Sequence, residues 1–262
     1  MSTLYQRLIA GNVLPWRMRN ALEQWVETRC YALLPGMYRR LHFGRGRNRL
    51  TALTHGPKHH FYGYYDKSPW NASGKYILAH ESEFNDRAPN AEDSVSVGLI
   101  DVSGPPHFTP LARSLAWNWQ QGSMAQWHQG DAENRFVHND RRSGQLVGVV
   151  RDTAGVELQV YERPIYAMLP DGQYAYSVNF ARLAEHRPGY GYAGAVDPWA
   201  NDPQPEHDGL WRIDLESGRA ELLISLAELA VRNSKPSMAG GFHYLNHVQP
   251  SRTGKRLAFF HI

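Results

Sequence analysis

The sequence predicts an all-β protein, and a recurring phrase is the first observation behind this prediction. A turn containing Gly or Asp leads into a strand that ends in His or another polar residue, at 72–80, 131–138, 170–178 and 252–261. Strands that recur at this spacing are typical of a β-propeller. The second observation is that strand-like segments dominate from residue 58 onward. We therefore predict a partial β-propeller over 51–262, preceded by a short helical N-terminal arm at 1–50.

The predicted arm contains helices at 2–11 and 15–34. Pro15 suits a first helical turn, and the apolar residues from Met18 to Leu33 recur at helical spacing. Two interpretations stay open: this face packs against the strand-rich domain, or it lies on a membrane surface. Glu23 and Glu27 dilute the polar face and favour packing.

Charge is distributed unevenly between the arm and the remaining chain. Residues 1–50 hold nine Arg, no Lys and two Glu, which gives +7, whereas the net charge of the whole chain is +3. The difference, 3 − 7, leaves −4 on residues 51–262. A basic arm predicts an anionic partner, such as an anionic membrane surface or an acidic polymer.

The predicted strands fall into three complete groups of four and a final pair. We predict strands at 60–66, 74–81, 95–102 and 107–112; at 121–127, 134–139, 145–152 and 156–161; at 164–169, 173–179, 209–214 and 220–225; and at 244–249 and 255–261. These make about three and a half four-stranded blades, which cannot close a ring. We expect a fragment of a longer protein, or self-association through the open edge.

Two insertions interrupt the regular spacing of the strands. They span 181–208 and 228–243, and loops of this length in a compact domain are usually functional or disordered.

Composition excludes several classes of protein. Aromatic residues make up 12% of the 262 residues, which indicates a packed globular domain rather than a disordered chain. Cys30 is the single cysteine, so an internal disulfide is excluded. There is no apolar stretch of roughly 18 residues and no secretory signal pattern, so we expect a cytoplasmic protein, peripheral to the membrane if the arm binds one. Nucleophile motifs, phosphate loops and zinc knuckles are absent, and no nucleic-acid partner is expected.

Aromatic and amide side chains are concentrated on segments that would line a propeller channel. The candidate substrate-binding residues are Tyr64, Trp119, Gln120, Gln121 and Asn246, together with Tyr190 from the first insertion. Flat aromatic faces beside amide donors suit a carbohydrate, which has apolar ring faces and a rim of hydroxyl groups. The alternative is that the aromatic residues form the core between blades.

Histidines and arginines supply the remaining candidates. His59, His60, His243 and His247 could meet at one mouth of the channel, but none has the tight spacing typical of a metal site. In the first insertion, Arg182 and Arg187 flank His186, and Tyr190 follows. Arginine binds carboxylates through paired N–H groups, and histidine can accept a proton near neutral pH. A solvated loop is the alternative.

Three phrases carry a family resemblance: 117–122, 187–192 and 209–214, which read WNWQQG, RPGYGY and GLWRID. Over roughly residues 55–262 the chain resembles bacterial TolB-like, WD40-type β-propeller proteins related to the oligogalacturonate lyases, a group often met near polysaccharide genes. The resemblance implies a seven-bladed ring, a manganese-type divalent metal held by His and Gln side chains, and cleavage of uronates by β-elimination.

The resemblance transfers to a few positions of this chain. His247 lies on a channel-lining strand, as the lyase metal ligands do. Arg182, His186 and Arg187 lie in a loop comparable to one that supplies lyase active-site residues, and we expect catalytic roles for them. Most lyase metal ligands come from later blades, so this chain alone is expected to be inactive.

The sequence thus predicts a domain that binds acidic oligosaccharides or polysaccharides. In full-length form it would cleave them in a bacterial polysaccharide pathway. The competing hypothesis is a non-catalytic interaction scaffold.

Overall fold

The computed structural model describes residues 51–232 and 234–262, and within them the fold is mostly β. The predicted helical arm at 1–50 lies outside the described residues. The described strands are β1 (His59–Phe61), β2 (Tyr76–Ser82), β3 (Val95–Asp101), β4 (His107–Ser114), β5 (Gln126–Trp127), β6 (Arg135–Arg142), β7 (Gln145–Asp152), β8 (Glu157–Tyr161), β9 (Ala167–Met168), β10 (Tyr174–Ser177), β11 (Gly209–Asp214), β12 (Ala220–Ser225), β13 (Leu245–Pro250) and β14 (Leu257–His261).

The strands form sheets in the groups that the sequence predicts. Three four-stranded sheets follow the orders β1-β2-β3-β4, β5-β6-β7-β8 and β9-β10-β11-β12, and β13 pairs with β14. All these pairs are antiparallel. Each sheet is thus a meander of sequential neighbours. Within the described residues β14 pairs with β13 alone, and self-association through this edge stays a prediction.

The recurring phrase is a turn whose backbone needs a left-handed residue. Gly74, Gly172 and Gly254 occupy equivalent places with φ of 73°, 71° and 70°. In the copy at 131–138, side chains close the turn: Asp131 accepts hydrogen bonds from the Asn134 backbone and side-chain amides, both at 3.1 Å. The repeat in the sequence is therefore a repeat of turn chemistry.

The hydrophobic core lies between successive sheets. One cluster joins Leu78 and Val97 of the first sheet to Phe136 of the second. Another joins Val150 of the second sheet to Ile213 of the third. The largest runs from the third sheet to β13 and includes Val248, which is completely buried. Each sheet therefore buries apolar side chains against the next sheet along the chain.

The first strand of each four-stranded sheet is shorter than the sequence predicts. The predicted strand at 121–127 is reduced to Gln126–Trp127. A bridge between Asn118 and Gly122, and a φ of 52° at Met124, bend the chain before it. These irregular segments leave side chains such as Tyr64 and Gln121 in loops rather than in regular pleats.

Both insertions contain helical structure. Helix α1 (Phe180–His186) opens the first insertion, and Asn179 caps it by accepting a hydrogen bond from the Arg182 amide. Helix α2 (Leu226–Val231) precedes a 3-10 helix (Pro236–Met238) in the second. Within the described ranges, no helix is long and apolar enough to cross a membrane.

His80 and His138 are fully buried, and each makes hydrogen bonds that require a neutral imidazole ring. In His80, Nδ1 donates to the Tyr62 carbonyl while Nε2 accepts from the Ser123 amide at 3.1 Å. In His138, Nε2 accepts from Arg151 at 3.3 Å. Burial lowers the pKa of each imidazole to about 4. A second proton, on Nε2 of either ring, would point at an N–H group that now donates to that nitrogen.

We predict that the domain loses stability as the pH falls from 7 to 5. The unfolded histidines titrate near 6.5 and the folded ones near 4, so between these values the unfolded state binds more protons. The loss should be about 2 kcal/mol for each histidine. Urea unfolding at pH 7 and pH 5 measures it. His138→Gln should reduce the pH dependence and His107→Gln, at an exposed position, should not; equal stability at both pH values would contradict the prediction.

Candidate functional site

His247 lies at an irregularity between β13 and β14. The strand register shifts between Asn246 and Gln249, and His247 has a φ of 53°, a conformation that costs energy for a residue with a Cβ. The His247 amide donates to the Tyr166 hydroxyl and to Asn246 Oδ1, both at 2.9 Å. These bonds hold the strained backbone at the bulge.

Two predicted substrate-binding residues, Asn246 and Gln121, form hydrogen bonds with the Tyr166 hydroxyl that holds this backbone. Asn246 is 1% exposed and accepts from the Tyr166 hydroxyl at 2.8 Å. Gln121 is completely buried and donates to the same hydroxyl at 3.3 Å. The structure therefore gives both a positioning role, because their polar atoms are used inside the protein.

Tyr64 is hydrogen-bonded to the His247 ring. Its hydroxyl lies 2.5 Å from His247 Nδ1. Burial, and then a hydrogen bond to Tyr166, raises the pKa of the phenol, so Tyr64 keeps its proton. Burial lowers the pKa of His247, and Arg187 adds to this while Asp66 opposes it. In one tautomer of the neutral ring Tyr64 donates to Nδ1, and in the other the ring N–H donates to Tyr64.

Aromatic rings surround the His247 imidazole. Ring centroids lie 4.9 Å away for Phe260, 5.8 Å for Tyr64, 5.9 Å for Tyr190 and 6.4 Å for Tyr65. Tyr65 is 73% exposed and Phe260 is 59% exposed. We call these five residues, with Arg187, the His247 cluster.

Arg187 brings the cluster its positive charge. The residue is exposed, and its guanidinium carbon lies 5.6 Å from the centroid of the Tyr190 ring. Tyr190 in turn meets the His247 ring edge to face. The cation therefore lies above the aromatic surface that leads to His247.

A buried ion pair lies next to the cluster. Lys67 Nζ is 2.7 Å from Asp66 Oδ2, and the two side chains are 10% and 8% exposed. Burial lowers the pKa of Lys67, and Asp66 opposes that shift. Among the described residues, the buried Asp66 Oδ1 has no hydrogen-bond partner. The two charges offset one another, so Arg187 dominates the charge that a ligand meets.

Arg182 anchors the insertion and is not available to a substrate. Its side chain is 1% exposed. All five of its N–H groups have acceptors within the described chain: the Asp197 carboxylate and the carbonyls of His243, Trp199, Asp202 and Pro203. The expected catalytic role for Arg182 therefore does not fit its position, and the residue holds the loop in place.

A second set of bonds places the turn that carries Arg187 and Tyr190. Asn118 donates to the Gly191 carbonyl at 2.7 Å, and the Gly191 amide donates to Gln121 at 3.3 Å. Gly191 has a φ of 72°, and a Cβ there would lie 2.3 Å from the Phe180 carbonyl oxygen. The segments 117–122 and 187–192 are thus hydrogen-bonded to each other.

Three other sequence-predicted residues lie outside the cluster. His186 stacks on Phe242 at 5.0 Å and on Tyr244 at 6.2 Å, a different aromatic group from that around His247. Trp119 packs against Phe61, and Gln120 beside it is exposed. The structure thus brings together Tyr64, Arg187, Tyr190 and His247, supported by Gln121 and Asn246.

Sequence reasoning missed four residues in or beside the cluster: Tyr65, Asp66, Lys67 and Phe260. Tyr65 and Asp66 stand in the same aromatic run as Tyr64, which was the available signal. Phe260 comes from the partner strand and joins the group through the β13–β14 pairing.

The predicted metal site has weak support around His247. Across residues 51–232 and 234–262, no group of three or more His, Cys, Asp or Glu side chains is placed to hold a metal ion. Nδ1 of His247 is already bonded to Tyr64. The metal site that the lyase resemblance implies stays a prediction.

A scan of the chain against protein-family models finds no match, and a search of the curated proteins finds no significantly similar sequence.

We predict that Arg182→Leu destabilises the domain by about 3–5 kcal/mol, because it leaves the buried Asp197 carboxylate without its cation and removes hydrogen bonds from four backbone carbonyls. Urea unfolding checks this value. Arg219→Leu, at an exposed position, is the matched control and should change stability by less than about 0.5 kcal/mol. A loss below about 1 kcal/mol for Arg182→Leu would show that the five hydrogen bonds do not hold the insertion.

Proposed function

We propose that the His247 cluster binds an acidic sugar residue of an oligosaccharide or polysaccharide. The observation that carries this proposal is the ring of aromatic side chains around a half-exposed histidine, with one arginine above it. A sugar has apolar ring faces and a polar rim, and a uronate adds a carboxylate.

Each part of the cluster matches one part of such a ligand. The exposed rings of Tyr65 and Phe260 offer apolar faces to the sugar ring. Arg187 can form paired N–H bonds to the carboxylate, and Nε2 of His247 can donate to, or accept from, a hydroxyl group of the sugar. Tyr64 and the network below it supply rigidity, which lowers the entropic cost of binding.

The wider architecture that we propose is a β-propeller, with each four-stranded sheet as one blade. Sequential antiparallel meanders support it, as does the burial of apolar side chains between successive sheets. The contact between β9 and β13 supports it further, because these are the first strands of neighbouring sheets.

For the described residues we propose binding rather than cleavage. Elimination from a uronate needs a base for the proton next to the carboxylate. Nδ1 of His247 is already hydrogen-bonded to Tyr64, and Tyr64 itself keeps its proton because its pKa is raised. We therefore expect no ultraviolet-absorbing unsaturated product when this chain is mixed with oligouronates. The lyase activity that the resemblance implies stays a proposal for a longer protein.

We predict that Arg187→Ala weakens the binding of oligouronates by about tenfold or more, because a charge-assisted bidentate contact is worth roughly 1.5–3 kcal/mol. Isothermal titration calorimetry with oligogalacturonates and with uncharged oligosaccharides measures this. Binding of uncharged sugars should be unchanged. Arg219→Ala removes an exposed arginine from a different turn and is the control for net charge.

Two outcomes would contradict the proposal. One is an affinity for oligouronates that stays unchanged in Arg187→Ala. The other is loss of affinity in Arg219→Ala as large as in Arg187→Ala, which would indicate a general charge effect. Either would favour the interaction-scaffold hypothesis.

For residues 1–50 we propose an anionic partner, an anionic membrane surface or an acidic polymer, on the basis of their charge of +7. Binding of the full chain to anionic vesicles should weaken steeply between about 0.05 and 0.3 M salt, because ions screen exposed charges. Replacing Arg45, Arg47 and Arg49 with Gln should weaken it further at low salt. Vesicle co-sedimentation measures both effects. Binding that ignores salt and these substitutions would leave the charge as a solubility feature.

A further inference from the structure

A second cleft lies on the first sheet, apart from the His247 cluster. It is an open depression of about 380 Å³ between the segment 54–61 and the side chains of Asn85 and Trp119. This volume is within the range of small-molecule sites, roughly 300–1,000 Å³. We call it the Trp119 cleft, and all of its lining residues are described.

Trp119 forms a fixed aromatic wall of this cleft. Its indole N–H donates to the Arg87 carbonyl at 2.7 Å. The ring meets Trp117 edge to face at 5.0 Å and Phe61 at 4.9 Å. The side chain is half-buried, so part of the indole is held in one orientation and remains accessible. A rigid, partly exposed aromatic face is a surface on which an apolar ring face can stack.

Lys58 lines the cleft, and it is paired with two carboxylates that lie outside the lining. Lys58 Nζ lies 2.9 Å from a carboxylate oxygen of Glu81 and 2.9 Å from one of Glu83. The other Glu81 oxygen lies 3.2 Å from His60 Nε2. One cation against two carboxylates leaves an excess of negative charge. An anionic ligand is therefore disfavoured here, in contrast to the His247 cluster.

The remaining polar side chains of the cleft are the imidazoles of His55 and His59, the amide of Asn85 and the hydroxyl of Thr54. Together with the indole, they offer hydrogen bonds around an apolar face, which matches the hydroxyl rim of a sugar.

We propose that the Trp119 cleft binds an uncharged pyranose residue, with one face of the sugar on the Trp119 indole and its hydroxyls bonded to Asn85 and His59. This proposal stands independently of the acidic-sugar site. Where both hold, the protein recognises a heteropolysaccharide that contains acidic and uncharged residues, rather than a chain of uronates alone.

The test uses the full chain and a panel of uncharged tetrasaccharides built from glucose, galactose or mannose. Calorimetry should show binding of at least one of them. Trp119→Ala should weaken that binding about tenfold, and Asn85→Ala and His59→Ala about threefold each. Trp119→Phe, which keeps an aromatic ring, should recover part of the affinity. Trp70→Ala, at a partly exposed tryptophan outside the cleft, should bind as the unmodified chain does.

The outcomes separate this proposal from the preceding one. Absence of binding of every uncharged tetrasaccharide at millimolar concentration would overturn it. So would unchanged affinity in both Trp119→Ala and Asn85→Ala, provided that near-ultraviolet circular dichroism shows both variants folded. Asn85 is exposed and its replacement leaves the core intact, so the test survives a folding defect in Trp119→Ala. Loss of uncharged-sugar binding in Arg187→Ala would place both ligands in the His247 cluster and also overturn it.

Discussion

The candidate site depends on the hydrogen bonds that the buried Arg182 guanidinium donates. It ties helix α1 to the carbonyls of the insertion and to His243, just before β13. Asn179 strengthens the same junction, because its amide bonds both Asp197 and Asp208. Burying a charge is costly unless every donor is satisfied, and here all five are. A loop of nearly thirty residues consequently becomes a fixed scaffold for Arg187 and Tyr190.

A second set of hydrogen bonds joins this insertion to the segment before β5 and to the β13–β14 pair. Gln121 contacts Gly191 on one side and the Tyr166 hydroxyl on the other. Tyr166 bonds the backbone of His247. One buried amide therefore links the turn that carries the cation to the bulge that carries the imidazole. Fully satisfied polar networks of this kind specify one arrangement, because any alternative would leave a buried polar group unpaired.

Local sequence patterns are enough to predict the strands, whereas the candidate site depends on contacts between residues that are distant in the sequence. Strand positions and their grouping follow from period-two hydrophobicity and turn residues, which are properties of neighbouring positions. Ser225 and Glu228 form a capping box, a pattern that marks the start of α2 in the sequence itself. Arg182 was assigned to catalysis because a sequence shows charge and not burial. The meeting of Phe260 with His247 depends on a bulge that shifts the strand register, and no local pattern reveals it.

Charge pairing distinguishes the two aromatic surfaces of the domain. Beside the His247 cluster, Asp66 and Lys67 offset each other in a buried pair, and the exposed Arg187 gives the surface its sign. At the Trp119 cleft, Lys58 faces two carboxylates, so the local excess is negative. Aromatic faces alone accept sugar rings of any charge, because stacking reads shape and apolar area. In the proposed functions, discrimination between an acidic and an uncharged sugar residue comes from these fixed charges, because like charges disfavour a ligand and opposite charges favour it.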